Sequence, residues 1–479
     1  MNTYSVRPAV TELRLSAFKI HRGVTLPIGP LTLLAGESGS GKSSALQAYE
    51  ILSRLGSGEP LAHAVGKVAG GPEACIPAGA RADEQGRRGF RIGCTVDGPV
   101  GLVHLDLAVQ AEPELRIVGE RLTGGGETLL TTALTDPARR AVQAAWHTAG
   151  ATPVTRAPLP DDRLATSLLP LRVAGKTAGQ RLVLAAAEQV VVALRSVFAC
   201  DPRPEVMRAA GRGGAPGSEA TETVKVSKAA RTAKAAGAAT RGRSAVRPGA
   251  AGGWGRDEEA DEGRLRSSCE NLPAVLERTS RECTRRHALL VAVVRDACAG
   301  PVDGLHAVPR EVKPAAGAAA TGVVPGDGAE RTEPGASAAA WGDGGTGQCG
   351  VATRTVRGAV RASPATDGMR AVVDRGALGM MPVEQLGDGE LRFLALALVL
   401  LTGPGVLEMD PAGEIPSACQ QLTVMADGLD RCLDRRQARE LLSLAVRMTE
   451  RGHVRLLGAV RDPSVAEGLP GVQVLHLGV

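Results

Sequence analysis

Hydrophobic side chains along this chain repeat with two periods, and the switch between them predicts its elements. In "TELRLSAFKI" (11–20) apolar and polar positions alternate, the period of a half-buried strand. "GPLTLLAG" (29–36) is a short apolar run bounded by glycines, as a buried strand requires. In "SSALQAYEILSRL" (43–55) the period changes, and Leu46, Tyr49, Leu52 and Leu55 fall on one side of a helix. "GFRIGCTV", "GLVHLDLAVQ" and "ELRIVGERL" read as successive strands separated by "DGP" and "AEPE" turns, which predicts an antiparallel lobe. A long helix is predicted from about Ala178 to Phe198. Toward the C-terminal end, "MRAVVDRG" predicts a strand and "GELRFLALALVLLT" a buried helix. "QLTVMADGLD" predicts a core strand ending in carboxylates, and "RRQARELLSLAVRMTERG" an amphipathic helix. "HVRLLGAV" and "VQVLHLGV" close the chain as strands. Strands alternating with helices imply an α/β fold, a mainly parallel sheet in three layers, with the antiparallel lobe beside it.

The periodicity lapses twice. Residues 209–262 are Ala, Gly, Ser and charge, at first basic (Lys225, Lys228, Arg231, Lys234, Arg241, Arg243, Arg247) and then acidic in "RDEEADE". Residues 314–368 are Ala/Gly-rich. Such segments bury too little apolar surface to offset the entropy of ordering them, so both are expected to be disordered linkers. Helical periodicity returns between them in "NLPAVLERTSRECTRRHALLVAVVRDAC". The expected organisation is therefore a first part at 1–208, a linker at 209–262, a helical arm at 263–313, a linker at 314–368 and a second part at 369–479. The arm is too short for a long coiled coil, because no sustained heptads appear. The 61 glycines and 30 prolines gather in the two lapses. Aromatic residues make up only 2% of the chain, so Ala, Val and Leu must fill the core.

Charge and cysteine content exclude several classes. A formal net charge of +5 over 479 residues does not by itself indicate a nucleic-acid or membrane partner. The nine cysteines show no CxxC pair and no Cys/His metal spacing, as in a reduced protein without a structural metal. No signal-peptide pattern and no run of about 18 apolar residues appears, so a soluble, cytoplasmic protein is expected, with no membrane span. The longest apolar run, "FLALALVLLTGPGVL", is interrupted by Gly403 and Pro404. Ser167 lacks the G-x-S-x-G context of a hydrolase nucleophile.

The chemistry is carried by "GESGSGKSS". Gly36, Glu37, Ser38, Gly39, Ser40, Gly41, Lys42 and Ser43 fit G-x-x-x-x-G-K-[ST] at every fixed position, and Ser44 continues into the helix. Glycines let backbone N–H groups turn inward around phosphate oxygens, and the following helix presents its N-terminus to the anion. Lys42 is expected to reach the β- and γ-phosphates of ATP or GTP, and the Ser43 hydroxyl to hold Mg²⁺. A second strand must bring a carboxylate to the metal. Two candidates stand in the sequence: Asp410, ending "GVLEMDP", and Asp427 in "LTVMADGLDRCLD".

"LGDGELRFLALALVLL" (386–401) resembles the LSGGQ-type motif and following helix of ABC-type ATPases, in the form used by RecF-like and structural-maintenance-of-chromosomes (SMC)-like ATP-binding proteins of the AAA family. "ELRIVGERL", "VALRSVFACDPRPEVMR" and "NLPAVLERT" are similar to further segments of that family. The resemblance implies a P-loop ATPase head with a helical arm. It implies that Gly387, Asp388, Gly389 and Glu390 cap the nucleotide held by a second head, so that ATP·Mg²⁺ joins a homodimer as a sandwich. "DGLDRCLD" has the length and final Leu-Asp of the family's Walker B segment, which favours Asp427 over Asp410 for the metal and leaves Asp430 as a second candidate catalytic carboxylate.

The departures from the family matter equally. Gly428 stands where the resemblance puts a water-positioning glutamate, and Arg461-Asp462 where it puts a switch histidine. Binding of ATP is therefore implied more firmly than hydrolysis, and slow or absent turnover is expected. Gln85 is the available counterpart of the family's glutamine, or a solvated loop residue. Three functions follow: an ATP-driven conformational switch acting on a protein partner or DNA, a non-hydrolysing nucleotide-binding scaffold or regulator, and a DNA-binding protein with a vestigial ATPase site. The basic run at 208–247 suits a DNA tether but lacks the interleaved aromatics used for base stacking.

Overall fold

The computed structural model describes residues 7–148, 154–211, 264–309, 369–409, 420–452 and 454–478. The expected linkers, apart from their margins, lie outside the described residues, and so does Asp410.

One sheet is antiparallel. It contains β1 (Ala9–Phe18), β2 (His21–Pro27), β4 (Arg88–Asp97), β5 (Val103–Glu112), β6 (Arg116–Gly124), β7 (Glu127–Ala133), β8 (Ala141–His147) and β9 (Val154–Pro160), in the order β2-β1-β4-β5-β6-β7-β8-β9. It extends well beyond the three strands read from the sequence. Strand β5 shows why it packs: Val103, Leu105, Leu107 and Val109 are buried, while His104 and Asp106 between them are not.

The second sheet is parallel throughout. Its order is β10 (Val197–Cys200), β14 (Leu422–Ala426), β15 (Val454–Ala459), β3 (Leu31–Ala35) and β16 (Gln473–His476). A small antiparallel sheet joins β11 (Gly304–Pro309), β12 (Met369–Asp374) and β13 (Met380–Pro382).

The parallel sheet divides two cores. Leu31 and Leu33 of β3, Val424 of β14 and Leu456 of β15 face one, with the side chains of α6 (Leu272–Glu282), α7 (Thr284–Ala297), α8 (Asp388–Leu401) and α9 (Arg435–Glu450). Leu34, Met425 and Leu457 face the other, with α1 (Lys42–Gly56), α2 (Leu61–Ala69), α3 (Ala165–Leu168), α4 (Ala178–Arg195) and the antiparallel sheet. Adjacent residues of one strand thus serve opposite layers, the geometry of a sheet covered on both faces. Helix α1 lies between the two sheets and buries most of its surface, including Tyr49, Ile51, Leu52 and Leu55. The described cysteines are free, and Cys75, Cys94, Cys200, Cys269 and Cys298 are buried.

The helices on both sides of the first linker pack into this body, those of the expected arm at 263–313 among them. Helix α4 lies against α1 and the antiparallel sheet, and α6 and α7 pack on β11, β12 and α8. Their apolar stripes are wide enough to be covered: Leu272, Val275, Leu276, Leu290 and Val294 all enter the core. The long helix ends earlier than expected, at Arg195. Val197 and Phe198 leave it to pair with Thr423 and Val424 of β14, and α5 (Pro204–Gly211) follows.

Glu120 of β6 ties the antiparallel sheet to α3. Its carboxyl, only 2% exposed, accepts hydrogen bonds from Ala165 N (2.6 Å), Thr166 N (2.7 Å) and the Thr166 hydroxyl. Burial pushes this carboxyl above the usual carboxylate range, against the pull of its three donors. Glu120→Ala leaves buried N–H groups without an acceptor and should destabilise the fold by about 3 kcal/mol. Glu120→Gln, which keeps an acceptor, should cost less. Chemical denaturation of the two variants beside the parent tests this; equal stability of all three refutes the anchoring role.

Candidate nucleotide site

The carboxyl ends of β3, β10, β14 and β15 open on one cleft of about 770 Å³. Ligands of open α/β sheets bind at this edge, where the strand order doubles back. The loop after β3 supplies Gly36, Ser38, Gly39, Gly41, Lys42, Ser43 and Ser44. Gly36, Gly39 and Gly41 all have positive φ, and Gly41 (φ 98°) is the residue that admits the chain into α1. A Cβ on Gly41 would lie 2.5 Å from the His21 ring, so glycine is needed there for space as well as conformation. His21 Nε2 lies 3.0 Å from Gly41 O and steadies the loop from the β1–β2 turn.

No side chain caps the N-terminus of α1. Its first N–H groups and the positive end of its dipole therefore face the cleft. Lys42 folds over the loop, its Nζ donating to Gly36 O at 2.5 Å and Glu37 O at 2.8 Å. Lys19, Lys42, Arg431 and Arg461 face Asp201, Asp427 and Asp430 around the cleft. Four cations against three carboxylates, beside an uncapped helix N-terminus, suit a polyanion that arrives with a divalent cation.

Asp427 follows β14 directly and is exposed in the cleft. Strand β15 separates β14 from β3, so at strand spacings of about 4.8 Å the Asp427 backbone lies roughly 10 Å from the start of the phosphate loop. Asp430 lines the same cleft, but its Oδ2 accepts from Arg461 N (2.8 Å) and Asp462 N (2.9 Å), latching the turn after β15. Asp462 is in turn held below the usual carboxylate range by its hydrogen bonds from Ser464. Gly428 has φ +58°, a conformation that penalises any residue with a Cβ.

The LGDGE turn lies outside this cleft. Gly387 is the N-cap of α8, and its N–H donates to Glu390 Oε2 at 3.3 Å. Both acidic side chains have partners within the chain. Asp388 pairs with Arg208 of α5 at 2.6 Å, and Arg208 also donates to Leu386 O at 2.7 Å. Glu390 pairs with Arg375 at 3.0 Å. Gly389 packs so closely on the Cys432 carbonyl that an added methyl would overlap it.

No family model matches the chain, and no curated protein matches it. Its fold is similar to solved SMC head domains. An Smc head bound to the C-winged helix domain of ScpA shares 11% identity at a TM-score of 0.41, over 95% of this chain and 90% of that one. The Smc head of Pyrococcus furiosus, with an extended coiled coil and bound to the C-terminal domain of ScpA, shares 9% identity at 0.39, over 96% and 91%. The SMC head domain from Thermotoga maritima shares 10% at 0.36, over 97% and 94%. The chemistry of this cleft therefore follows from the chain's own residues.

Sequence reasoning missed several of those residues. Lys19 and Ile20 come from the β1–β2 turn, which reads as continuous strand in the sequence. Asp201 was hidden because β10 reads as the end of a helix. Arg392, 2% exposed, follows the LGDGE turn and donates to Pro202 O at 2.5 Å and Gly428 O at 3.0 Å. Gln85 lies in the exposed 81–87 loop, hydrogen-bonded to Asp83 and Arg87, and does not line the cleft. Among the described residues no helix is long and apolar enough to cross a membrane.

The close approach at Gly389 separates a packing role from a ligand role. Gly389→Ala should destabilise the nucleotide-free protein by about 2 kcal/mol, because the methyl meets backbone rather than a flexible side chain. Thermal unfolding without nucleotide measures it; an unchanged midpoint refutes the packing role.

Proposed function

We propose that the cleft binds ATP·Mg²⁺ and that ATP draws two copies of the chain together as a conformational switch. The observation that carries this reading is the phosphate loop at the uncapped N-terminus of α1, set on the same sheet edge as Asp427. The backbone N–H groups of Gly36 to Ser44 surround the phosphates, and Lys42 moves from its loop carbonyls to the β- and γ-phosphate oxygens. Ser43 and Asp427 fit a magnesium ion: a hydroxyl and a carboxylate are the hard oxygen donors it prefers. Bound there, the ion would offset phosphate charge.

The second copy contributes its LGDGE turn. Because Arg208 and Arg375 neutralise Asp388 and Glu390 within their own chain, the first N–H groups of α8 can meet an anion without carboxylate repulsion. In this reading Gly387, Asp388, Gly389 and Glu390 cap the partner copy's nucleotide. A second reading, a non-hydrolysing nucleotide-binding scaffold, is favoured by Gly428, which offers no side chain to hold an attacking water.

Size-exclusion chromatography with light scattering, with and without ATP·Mg²⁺, tests the switch. The expected result is a doubling of mass with ATP that Lys42→Ala abolishes. The same substitution should weaken ATP binding at least about 30-fold, since it removes a cation from a charge-assisted contact worth roughly 2 kcal/mol or more. A wild-type protein that binds ATP and stays monomeric refutes the sandwich; one that binds no ATP refutes the site.

A further inference from the structure

We propose that Asp201 is the carboxylate that orients the attacking water in this cleft, in place of a side chain that position 428 does not provide. This rests on the reading of the cleft as an ATP site and specifies how that site turns over.

Three carboxylates line the cleft among the described residues, and geometry assigns them different work. Asp427 directly follows the strand that faces the phosphate loop across β15, where its carboxylate would hold the cation. Asp430 is committed: two backbone N–H groups at 2.8 and 2.9 Å hold its Oδ2, and turning it toward a water would release the chain after β15. Asp201 remains. Cys200 is in register with Ala426, so Asp201 follows β10 as Asp427 follows β14, on adjacent strands about 4.8 Å apart. Its backbone is fixed by its own N–H, which donates to Ser267 O at 2.9 Å.

The Asp201 side chain is 43% exposed, so water reaches it. Its closest ion-pair partner is Arg203, at 3.1 Å and itself exposed, a surface pair of small energy that a ligand can displace. On the buried side Arg392 Nη1 stands 3.9 Å from Asp201 Oδ1. The same guanidinium holds Pro202 O and Gly428 O, so one buried arginine fixes Asp201 relative to the turn that carries Asp427. Arg392 is thus a positioning residue for Asp201, delivered by the helix that follows the LGDGE turn.

In the step this implies, water held by the Asp201 carboxylate attacks the γ-phosphorus. The bond from that phosphorus to the β,γ-bridging oxygen breaks, and ADP leaves with the electron pair. The proton of the attacking water passes to Asp201 and then to solvent or the released phosphate. ATP and water become ADP, inorganic phosphate and a proton, with no further reactant.

The test follows phosphate release under single-turnover conditions with ATP·Mg²⁺. It measures in parallel the affinity for a fluorescent ATP analogue and the persistence of the ATP-dependent dimer. Asp201→Asn should lower release by at least about 100-fold, the scale of a lost general base. It should leave affinity within about threefold by keeping the side chain's shape, and prolong the dimer. Asp201→Glu, which keeps the carboxylate, should retain most of the release, and Asp430→Asn should lower it less than Asp201→Asn does. The proposal is overturned if Asp201→Asn releases phosphate at the wild-type rate, or if wild-type protein that binds ATP releases none above the Lys42→Ala background. Wild-type protein that binds no ATP overturns the site reading and this proposal with it, so the two failures are distinguished by the binding measurement.

Discussion

The candidate site depends on one constraint, the parallel register of β3 between β15 and β16. Strand β3 belongs to the first part of the chain, and its neighbours on both sides come from the last. Until those ladders form, the phosphate loop and Asp427 belong to separate segments with no common edge. Pairing of Leu34 with Ala459, Gly458 with Ala426, and Ala426 with Cys200 aligns the ends of four strands. The cleft is the space just beyond that line. Register is held by side-chain alternation, because a slip of one residue would carry Leu33 and Leu34 into each other's layers. Assembly of the core and assembly of the site are therefore the same event.

Much of this was legible in the sequence where a single period ran long enough. The buried β3, α1, α8 and α9 and the closing strands all announce themselves, because each is covered on a defined face or all round. The α/β class with a mainly parallel sheet follows from their order. The glycine-rich turn after β3 was legible for a different reason: its positive-φ glycines are a local requirement that no distant contact can replace. What stayed hidden was set by tertiary pairing. Strand β10 is four residues long and continues an apolar helix, so only its ladder with β14 reveals it. Helix α2 sits in a Gly/Ala/Pro-rich stretch and is fixed by packing on α1. The expected arm was misread because amphipathic helices look alike whether they project from a body or complete its core.

The roles of individual carboxylates were the least legible. In sequence Asp427 and Asp430 are near neighbours of equal chemistry. In the structure one is exposed beside the phosphate loop and the other accepts two backbone N–H groups. Gly428 looked like a lost side chain, yet its left-handed backbone shows that the turn itself favours glycine. The water-orienting carboxylate proposed above therefore comes from the neighbouring strand, where the register of β10 with β14 sets Asp201 beside Asp427. Cys200 beneath it is buried, and hydrogen bonding with that thiol, with burial, pushes the Cys269 thiol well above the usual range.

Helix α8 shows how an apolar element is given a direction. From Leu391 to Leu401 every side chain is buried, including Arg392. Apolar burial of that kind stabilises strongly but does not choose a rotation, because it is roughly proportional to area and non-directional. The choice is made by arginines. Arg208 grips Leu386 O ahead of the helix and Asp388 at its first position, and Arg375 grips Glu390 in its first turn. Arg392 reaches from the helix to Pro202 and Gly428. Arg375 and Arg392 are buried, and a buried guanidinium is costly unless it is paired, so their contacts are strongly specified even though the Nε of each has no partner. The outcome is a helix whose N-terminus and whose link to the cleft are fixed by the same set of charges. A displacement of the LGDGE turn by a docking partner would therefore be felt at Gly428 and Asp201. The switch proposed above needs such a connection, because α8 carries the LGDGE turn at its N-terminus and, through Arg392, is tied to the Gly428 turn at the cleft.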